Sequence, residues 1–238
     1  MRIAPFSDIH GNVHALQAVL ADMDQQEIDQ VYCLGDLVGY GAYPNEVIAL
    51  IRERHIPTVM GNYDDGIGFD KDECGCAYTD AGMRRLGHLS IEWSKEHVTP
   101  ENKALLRWLL SNIRLEVHGK RLLLVHGSPR RINEYVYEDR APKSLSRIAQ
   151  SADADVLIFG HTHLPYVKEV DGVLFVNDGS VGKPKDGDTR AAYAILDIGN
   201  EIKVTIQRVP YDVAAAAAAV RQSALPDHFA ELLETASG

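Results

Sequence analysis

The sequence has 238 residues, of which 45% are hydrophobic and 24% charged, the composition of an ordinary globular protein with a substantial core. Its formal net charge of −10 argues against extended nucleic acid as a partner, because binding such a polymer needs a broad basic face. A small substrate that carries one or a few phosphates is compatible with this charge, provided that cations, including metal ions, concentrate at the site.

The longest apolar stretch, Val213 to Val220, is mostly Ala and too short to span a bilayer, so we expect no membrane segment. The chain begins with a predicted strand and lacks the basic and apolar regions of a signal peptide. Cys33, Cys74 and Cys76 suit reduced thiols better than a disulfide framework, and we expect the last two to pack in a loop beside the site. These features predict a cytoplasmic protein and leave its oligomeric state open, a homodimer included.

A predicted βαβ unit opens the chain. The apolar run from Ile3 to Phe6 predicts a buried strand, and Asp8 and His10 follow it directly. Val13 to Met23 carries apolar residues at helical spacing, which predicts a helix packed on a sheet. Asp8 and His10 are therefore expected beyond the carboxyl end of a strand, where open α/β sheets bind their ligands.

The same order of elements recurs twice. Val31 to Leu34 predicts a second strand, and Asp36 follows it. A helix predicted to begin at Pro44 leads to a third predicted strand, Thr58 to Met60, which is followed by Asn62. Each short apolar run thus brings a polar side chain to its carboxyl end.

A glycine-rich, acidic segment without periodicity extends from Gly66 to about Thr79, and we expect it to be a loop near the site. Helical patterns follow from Asp80 to Glu96 and again after Thr99, a residue suited to cap a helix.

The second half of the chain shows the same pattern, in which a polar side chain follows a short apolar run. Leu122 to Val125 predicts a strand that ends at His126, and Val156 to Phe159 predicts another that precedes His161 and His163.

Hairpins then replace the βαβ units. Tyr166 to Val170 and Val173 to Val176 flank Asp171-Gly172, a strong signal for a type I′ turn. Ala192 to Ile198 and Ile202 to Val209 predict a second hairpin.

The order of elements, βαβ units followed by hairpins, predicts a mixed sheet or a pair of sheets in one domain over residues 1–238. Ala214 to Val220 and Phe229 to Leu233 are helical by propensity. We expect residues 212–238 to form a C-terminal helical extension that packs on the domain.

Seven side chains at or near the predicted strand ends can bind a metal ion: Asp8, His10, Asp36, Asn62, His126, His161 and His163. Carboxylate, imidazole and amide ligands suit Mn, Fe, Co, Ni or Zn better than an oxygen-only Ca or Mg site. Seven ligands are too many for one tetrahedral ion but suit two ions that share a bridging carboxylate, for which Asp36 is the obvious choice. Two such ions can orient a phosphate ester and activate water for in-line displacement.

Five motifs resemble, in order and composition, those of the calcineurin-like metallophosphoesterase family. They are Asp8-Ile9-His10, Gly35-Asp36, Gly61-Asn62-Tyr63-Asp64, Val125-His126-Gly127 and Gly160-His161-Thr162-His163. The resemblance covers the chain from Arg2 to about Val209. Within the family, the chain looks most similar to the compact bacterial and archaeal phosphodiesterase-like branch. It implies an α/β (α+β) fold, namely a four-layer αββα sandwich with two mixed β-sheets flanked by helices.

The resemblance also implies two metal sites and a reaction. Asp8, His10, Asp36 and His163 would hold the first ion, and Asp36, Asn62, His126 and His161 the second. The cofactors would be two divalent transition-metal ions, Mn or Fe first, with Zn, Ni or Co as alternatives. The implied function is hydrolysis of a phosphomonoester or phosphodiester by a hydroxide that bridges the two metals.

One position departs from the family. Many members have a His where this chain has Tyr63, and that His is assigned as the general acid, oriented by the acidic residue after it. The proton donor here is therefore open between Tyr63, Asp64 or Asp65, a metal-bound water, and no protein acid at all. We count Tyr63 and Asp64 as catalytic candidates together with Asp36 and Asn62.

Substrate contacts are suggested by position only. Ser128 and Arg190 are the candidates to bind the substrate phosphate, and Lys183 and Lys185 are weaker ones. A different function, a catalytically weak metal-binding scaffold or protein-interaction module of the same fold, is argued against by the complete set of seven ligands.

Overall fold

The computed structural model describes residues 1–78 and 80–237. Thr79, at the end of the predicted loop, and Gly238, at the end of the predicted extension, lie outside the described residues. The strands are β1 (Arg2–Phe6), β2 (Gln30–Cys33), β3 (Ile113–Val117), β4 (Lys120–Leu124), β5 (Val156–Phe159), β6 (Tyr166–Val170), β7 (Val173–Asn177), β8 (Ala191–Ile198) and β9 (Ile202–Val209). The helices are α1 (Val13–Met23), α2 (Pro44–Glu53), α3 (Asn62–Gly68), α4 (Ala81–His97), α5 (Pro100–Leu106), α6 (Pro142–Ala152), α7 (Val213–Gln222) and α8 (His228–Thr235).

The strands form two sheets, with the orders β2-β1-β8-β9 and β3-β4-β5-β7-β6. In the first sheet β1 pairs in parallel with β2 and antiparallel with β8. In the second, β4, β5 and β7 are parallel, and antiparallel strands lie at both edges. Both sheets are thus mixed and are flanked by helices, which confirms the predicted fold class.

The two sheets pack face to face through an apolar core. Ile3 and Leu196 from the first sheet meet Leu124, Ile158 and Val176 from the second, and all five side chains are fully buried. The burial of this surface, at about 25 cal/mol per Å² of apolar area, is the dominant force that holds the sheets together.

Each sheet carries a second apolar face, which a helix covers. Leu16 and Val19 of α1 pack on the first sheet, and Leu145 and Ile148 of α6 pack on Phe159 and its neighbours in the second. Strands buried on both faces read as continuous apolar runs rather than alternating ones, which is why these strands stood out in the sequence.

The C-terminal helices α7 and α8 form a further apolar cluster with Trp93 of α4. Phe229 of α8 contacts Tyr40 edge-on, with ring centroids 5.1 Å apart. Because Tyr40 lies in the loop after β2, these helices reach the end of the sheet where the predicted site residues lie. Within the described residues no helix is both long and apolar enough to cross a membrane.

Three elements differ from their prediction. The predicted third strand, Thr58 to Met60, forms only two isolated bridge pairs, because Pro57 before it lacks the N–H that would extend a ladder. β3 was missed, and it pairs with β4 across a turn in which His118 and Gly119 have positive φ. α3 extends to Gly68, so the loop predicted from Gly66 begins after that helix.

The predicted hairpin at Asp171-Gly172 is confirmed. β6 and β7 pair antiparallel on either side of it, and the two turn residues have φ of 50° and 80°. Both values lie in the left-handed region that a type I′ turn requires.

Candidate metal centre

The structure brings the seven predicted side chains together at one end of the paired sheets. Each follows β1, β2, β4 or β5 or, for Asn62, begins α3. All are buried, with no more than 4% of their surface exposed. Carboxyl ends of parallel strands from both sheets meet at this end, so residues far apart in sequence become neighbours.

Asp8, His10 and His163 form the first ligand group, whose candidate ligand atoms all lie within 4.8 Å of one another. His163 Nε2 is 3.3 Å from Asp8 Oδ1 and 3.3 Å from His10 Nε2. Asp8 Oδ1 is buried and has no hydrogen-bond partner among residues 1–78 and 80–237, although a buried carboxylate oxygen ordinarily has one.

Asp36, His126 and His161 form the second group, and Asn62 joins it. His126 Nε2 lies 3.4 Å from Asp36 Oδ2, 3.0 Å from Asn62 Oδ1 and 3.2 Å from His161 Nδ1. Asp36 Oδ2 is also 3.7 Å from His10 Nε2 of the first group. One oxygen atom of Asp36 therefore lies between the two groups.

The imidazole rings are oriented by backbone carbonyl groups, to which three histidines donate from Nδ1. The bonds run from His10 to Val38 (3.0 Å), from His126 to Leu34 (2.8 Å) and from His163 to Lys183 (2.5 Å). A proton on Nδ1 leaves the Nε2 lone pair directed into the cluster, the usual arrangement of metal-binding histidines. Two lone pairs then face each other across the 3.3 Å between His10 and His163, so the donor set fits a bound cation.

Unusual backbone conformations position these side chains. Asp8, His10, Asp36, His161 and His163 all have φ between 49° and 66°, a region that non-glycine residues seldom adopt. Hydrogen bonds between the loops hold this geometry: Asp8 N–H donates to Gly35 O (3.0 Å) and His10 N–H to Asp36 O (2.9 Å).

Burial and neighbouring charges set the protonation of the cluster. Burial opposes ionisation of Asp8, yet His163 and His10 hold its pKa well below the ordinary value. Burial lowers the pKa of His161 and of His163 to about 3, so both rings are neutral. His126 differs, because Asp36 outweighs burial and raises its pKa to about 10, and a cation would compete with that proton.

Tyr63, at the position where many members of the resembled family have a His, lies in an aromatic cluster next to the candidate metal centre. Its ring centroid is 5.4 Å from that of His10 and 4.8 Å from that of Tyr40, and its hydroxyl is 3.4 Å from that of Tyr78. Burial, followed by Tyr40, raises the pKa of Tyr63 well above its ordinary value. Tyr63 is therefore a neutral phenol.

The carboxylate of Asp64 accepts backbone N–H groups on both oxygens. Oδ2 bonds to Asp36 N (2.8 Å) and Gly61 N (2.9 Å), and Oδ1 to Leu37 N (2.9 Å). Burial and then the Asp36 carboxylate raise the pKa of Asp64 to about 7. These contacts tie the loop that carries Asp36 to the start of α3.

The two candidates for substrate phosphate have other partners. Ser128 Oγ donates to Glu134 (2.5 Å) and accepts the N–H of Arg130 (3.1 Å). Arg190 is half-exposed and pairs with Asp188 at 2.6 Å. Both contacts are local to their own loops.

The loop after α3 orients Asn62. The Asn62 amide nitrogen donates to Cys74 O at 3.0 Å and lies 3.4 Å from Cys76 Sγ. With Nδ2 held there, Oδ1 faces His126. This contact fits the packing role expected for the two cysteines.

A second layer around Asp8 was missed in the sequence. Ser7 Oγ lies 2.6 Å from Asp8 Oδ2 and 2.7 Å from Asp178 Oδ1, and burial raises the pKa of Asp178 well above its ordinary value. Asp178 directly follows β7, so its position at a strand end is the sequence signal that marks it.

A cavity of about 240 Å³ adjoins the metal centre. Tyr135, one of its lining residues, lies against the His161 ring with centroids 4.0 Å apart. Lys183 and Lys185 also line it, and burial followed by the neighbouring lysine lowers the pKa of Lys183 well below its ordinary value.

Comparisons with known proteins show the family of this chain. Residues 1–201 match the calcineurin-like phosphoesterase superfamily domain. An uncharacterized protein of Methanocaldococcus jannaschii is 34% identical over 97% of this chain and 96% of its own length. The phosphodiesterase YfcE of Escherichia coli K12 is 27% identical over 83% of this chain and 88% of its own. The crystal structure of a metallophosphoesterase from Sphaerobacter thermophilus superposes with a TM-score of 0.79, with 30% identity and 99% coverage of both chains.

Together with these relatives, two packed mixed sheets with carboxylate and imidazole side chains grouped at their strand ends place the chain in the class of metal-dependent phosphoester hydrolases. The chain belongs to the calcineurin-like phosphoesterase superfamily. Within it, the chain is similar to the compact phosphodiesterase-like branch.

Proposed function

We propose that the protein hydrolyses small phosphate esters at a binuclear metal centre in which Asp36 is the shared ligand. The observation that carries the proposal is the pair of ligand groups, each with its atoms within 4.8 Å of one another, with Asp36 Oδ2 between them. Two cations bound there would orient the ester phosphate, lower the pKa of the attacking water and stabilise the leaving oxygen.

The two groups of side chains support the following ligand sets. Asp8, His10, Asp36 and His163 would hold one ion. Asp36, Asn62, His126 and His161 would hold the other. Imidazole, carboxylate and amide donors without a thiolate suit Mn or Fe first, with Zn, Ni or Co as alternatives.

The remaining residues near the centre position the ligands. Ser7 Oγ bonds to Asp8 Oδ2 and also contacts Asp178 Oδ1, and His161 N–H donates to the same Asp8 oxygen at 2.8 Å. Asp64 fixes the backbone around Asp36. Contacts of this kind around a metal centre raise the affinity for the metal and fix the orientation of the side chains that bind it.

The test is metal-dependent turnover of two esters that release the same leaving group, p-nitrophenyl phosphate and bis(p-nitrophenyl) phosphate. After treatment with a chelator and dialysis, we expect added Mn²⁺ to restore turnover of at least one ester and mass spectrometry to find two ions per chain. Absence of turnover of both esters at full metal occupancy would contradict the proposal.

Tyr63 offers a test of proton donation. We expect Tyr63→His to raise the rate on esters with poor leaving groups, such as alkyl phosphates, by about tenfold or more. A positioned imidazole with a pKa near neutrality is a far better acid than a buried phenol. The rate on p-nitrophenyl phosphate, whose leaving group needs no proton, should change little.

The measurement is the ratio of kcat/KM for an alkyl and an aryl ester in wild-type protein, Tyr63→His and Tyr63→Phe. The Phe variant is the control for loss of the hydroxyl alone. If Tyr63→His changes both esters by the same small factor, this position has no part in proton donation.

A further inference from the structure

We propose that Lys183 and Lys185 bind the phosphate of the substrate, and that the substrate is a phosphomonoester dianion whose organic part lies in the cavity beside the metal centre. The inference rests on the proposed function and specifies the substrate class of that site.

The two lysines line the cavity beside the candidate metal centre. Only 5% of Lys183 is exposed, and its backbone carbonyl accepts the Nδ1–H of His163. Its N–H in turn donates to Ser180 Oγ at 2.9 Å. Lys185, two residues on, is half-buried and lines the same cavity. The backbone that carries Lys183 is thus fixed directly to a ligand of the first group.

Neither amine makes an ion pair with a carboxylate of residues 1–78 or 80–237, and the structure gives Lys183 an aromatic neighbour instead. Its Nζ lies 5.1 Å from the centroid of the Tyr40 ring. Buried charges in proteins are ordinarily paired or bound to a ligand, and a ring face is a weak substitute for an anion. Two neighbouring lysines without a carboxylate partner therefore point to an anion supplied by the substrate.

The number of charged oxygens separates the two ester classes. A phosphomonoester dianion has three terminal oxygens and a diester has two. If two terminal oxygens face the metal centre, the third oxygen of a monoester carries charge that the lysines can bind. In a diester, that position carries an organic substituent, which would have to lie against two amines.

The rest of the cavity suits an apolar or aromatic organic group. Its walls include Tyr78 and Tyr135 and, from α8, Phe229 and Leu232. These side chains contribute rings and methyl groups rather than charge, and a volume of about 240 Å³ limits the group to roughly the size of one or two rings.

The experiment compares Lys183→Met and Lys185→Met with Lys143→Met, which removes the same charge from an exposed position of α6. KM and kcat are measured for p-nitrophenyl phosphate and for bis(p-nitrophenyl) phosphate. We expect each cavity variant to raise KM for the monoester about tenfold or more, as for loss of a charged hydrogen bond, and to change KM for the diester less than about threefold. Lys143→Met should match wild type on both esters.

Binding of inorganic phosphate to the metal-loaded protein, followed by calorimetry, gives a readout independent of turnover. We expect about a tenfold weaker Kd in the cavity variants at unchanged metal content. Thermal unfolding should show no loss of Tm, since Met removes an unpaired buried amine. If one variant fails to fold, the other decides.

The lysine proposal is overturned if phosphate affinity is unchanged in the cavity variants, or if both esters respond equally. Failure of the proposed function looks different. In that case wild-type protein turns over neither ester, and phosphate binding alone tests the lysines.

Discussion

Asp36→Asn should lower turnover of an aryl phosphate by at least about a hundredfold, because loss of a residue that only orients a metal ligand costs about 10- to 100-fold in metal affinity or activity, and Asp36 is proposed as the shared ligand itself. The side chain keeps its shape in this variant, but its orientation is constrained. Tyr63 N–H donates to Oδ1 at 2.8 Å, so the amide oxygen must take that position. The amide nitrogen then occupies the position of Oδ2, between the two ligand groups, where its hydrogens face the site and cannot bind a cation.

The same substitution should reduce the metal content from two ions per chain toward one or none, measured by mass spectrometry after dialysis. Asp155→Asn is the matched control, because Asp155 pairs with Arg121 on the surface and is not part of either ligand group. Wild-type turnover and two bound ions in the Asp36→Asn protein would contradict the proposed role of Asp36 as the shared ligand.

Topology rather than side-chain detail brings the predicted metal ligands to one end of the sheets. Any parallel strand ends where the chain turns away from the sheet, so polar residues after several apolar runs are brought to one edge. Asp8, Asp36 and His126 could be found in this way. The distance between two such residues could not be predicted, because it depends on how the two sheets pack. Apolar residues of that interface, such as Ile3 and Ile158, do not show in the sequence how far apart the two strand ends lie.

The backbone of the site was not predictable from local propensity. His161 and His163 have φ of 66° and 61°, a conformation that propensity assigns to Gly or Asn. Tertiary hydrogen bonds stabilise it, for instance His161 N–H to Asp8 Oδ2, which joins residues 153 positions apart. Strain of this kind is maintained where the surrounding structure over-determines the geometry, and functional sites are common among such places.

Local pairing explains why the phosphate candidates changed. In the sequence, Arg190 had the stronger case because its guanidinium can bind phosphate in a bidentate manner. In the structure it pairs with Asp188 in its own turn, whereas Lys183 points into the cavity. Both side chains are cationic and follow the same strand end in the sequence, so only their burial and their pairing in the structure distinguish them.

Asp64→Ala should destabilise the protein by about 3 kcal/mol or more, because three buried backbone N–H groups lose their acceptor and each unsatisfied group costs about 1–3 kcal/mol. The donors are Asp36, Leu37 and Gly61. Two of them belong to the loop that places the Asp36 carboxylate, so we also expect weaker metal binding. Urea unfolding of the metal-free protein isolates the effect on stability, and titration with Mn²⁺ gives the effect on affinity.

Asp65→Ala is the control, since the Asp65 carboxylate belongs to the same turn of α3 but forms an ion pair with the half-exposed Lys71. Loss of such an exposed pair should cost less than about 1 kcal/mol. Equal destabilisation by the two variants would contradict the role of Asp64 as the acceptor that holds these backbone N–H groups in place. The two measurements also distinguish two roles of Asp64. If Asp64 is a proton donor, the Asp64→Ala variant has a lower kcat and an unchanged metal affinity. If Asp64 positions the metal ligands, the variant loses metal affinity and stability together, and saturating Mn²⁺ restores its kcat. The hydrogen bonds on both oxygens of Asp64 favour the second result.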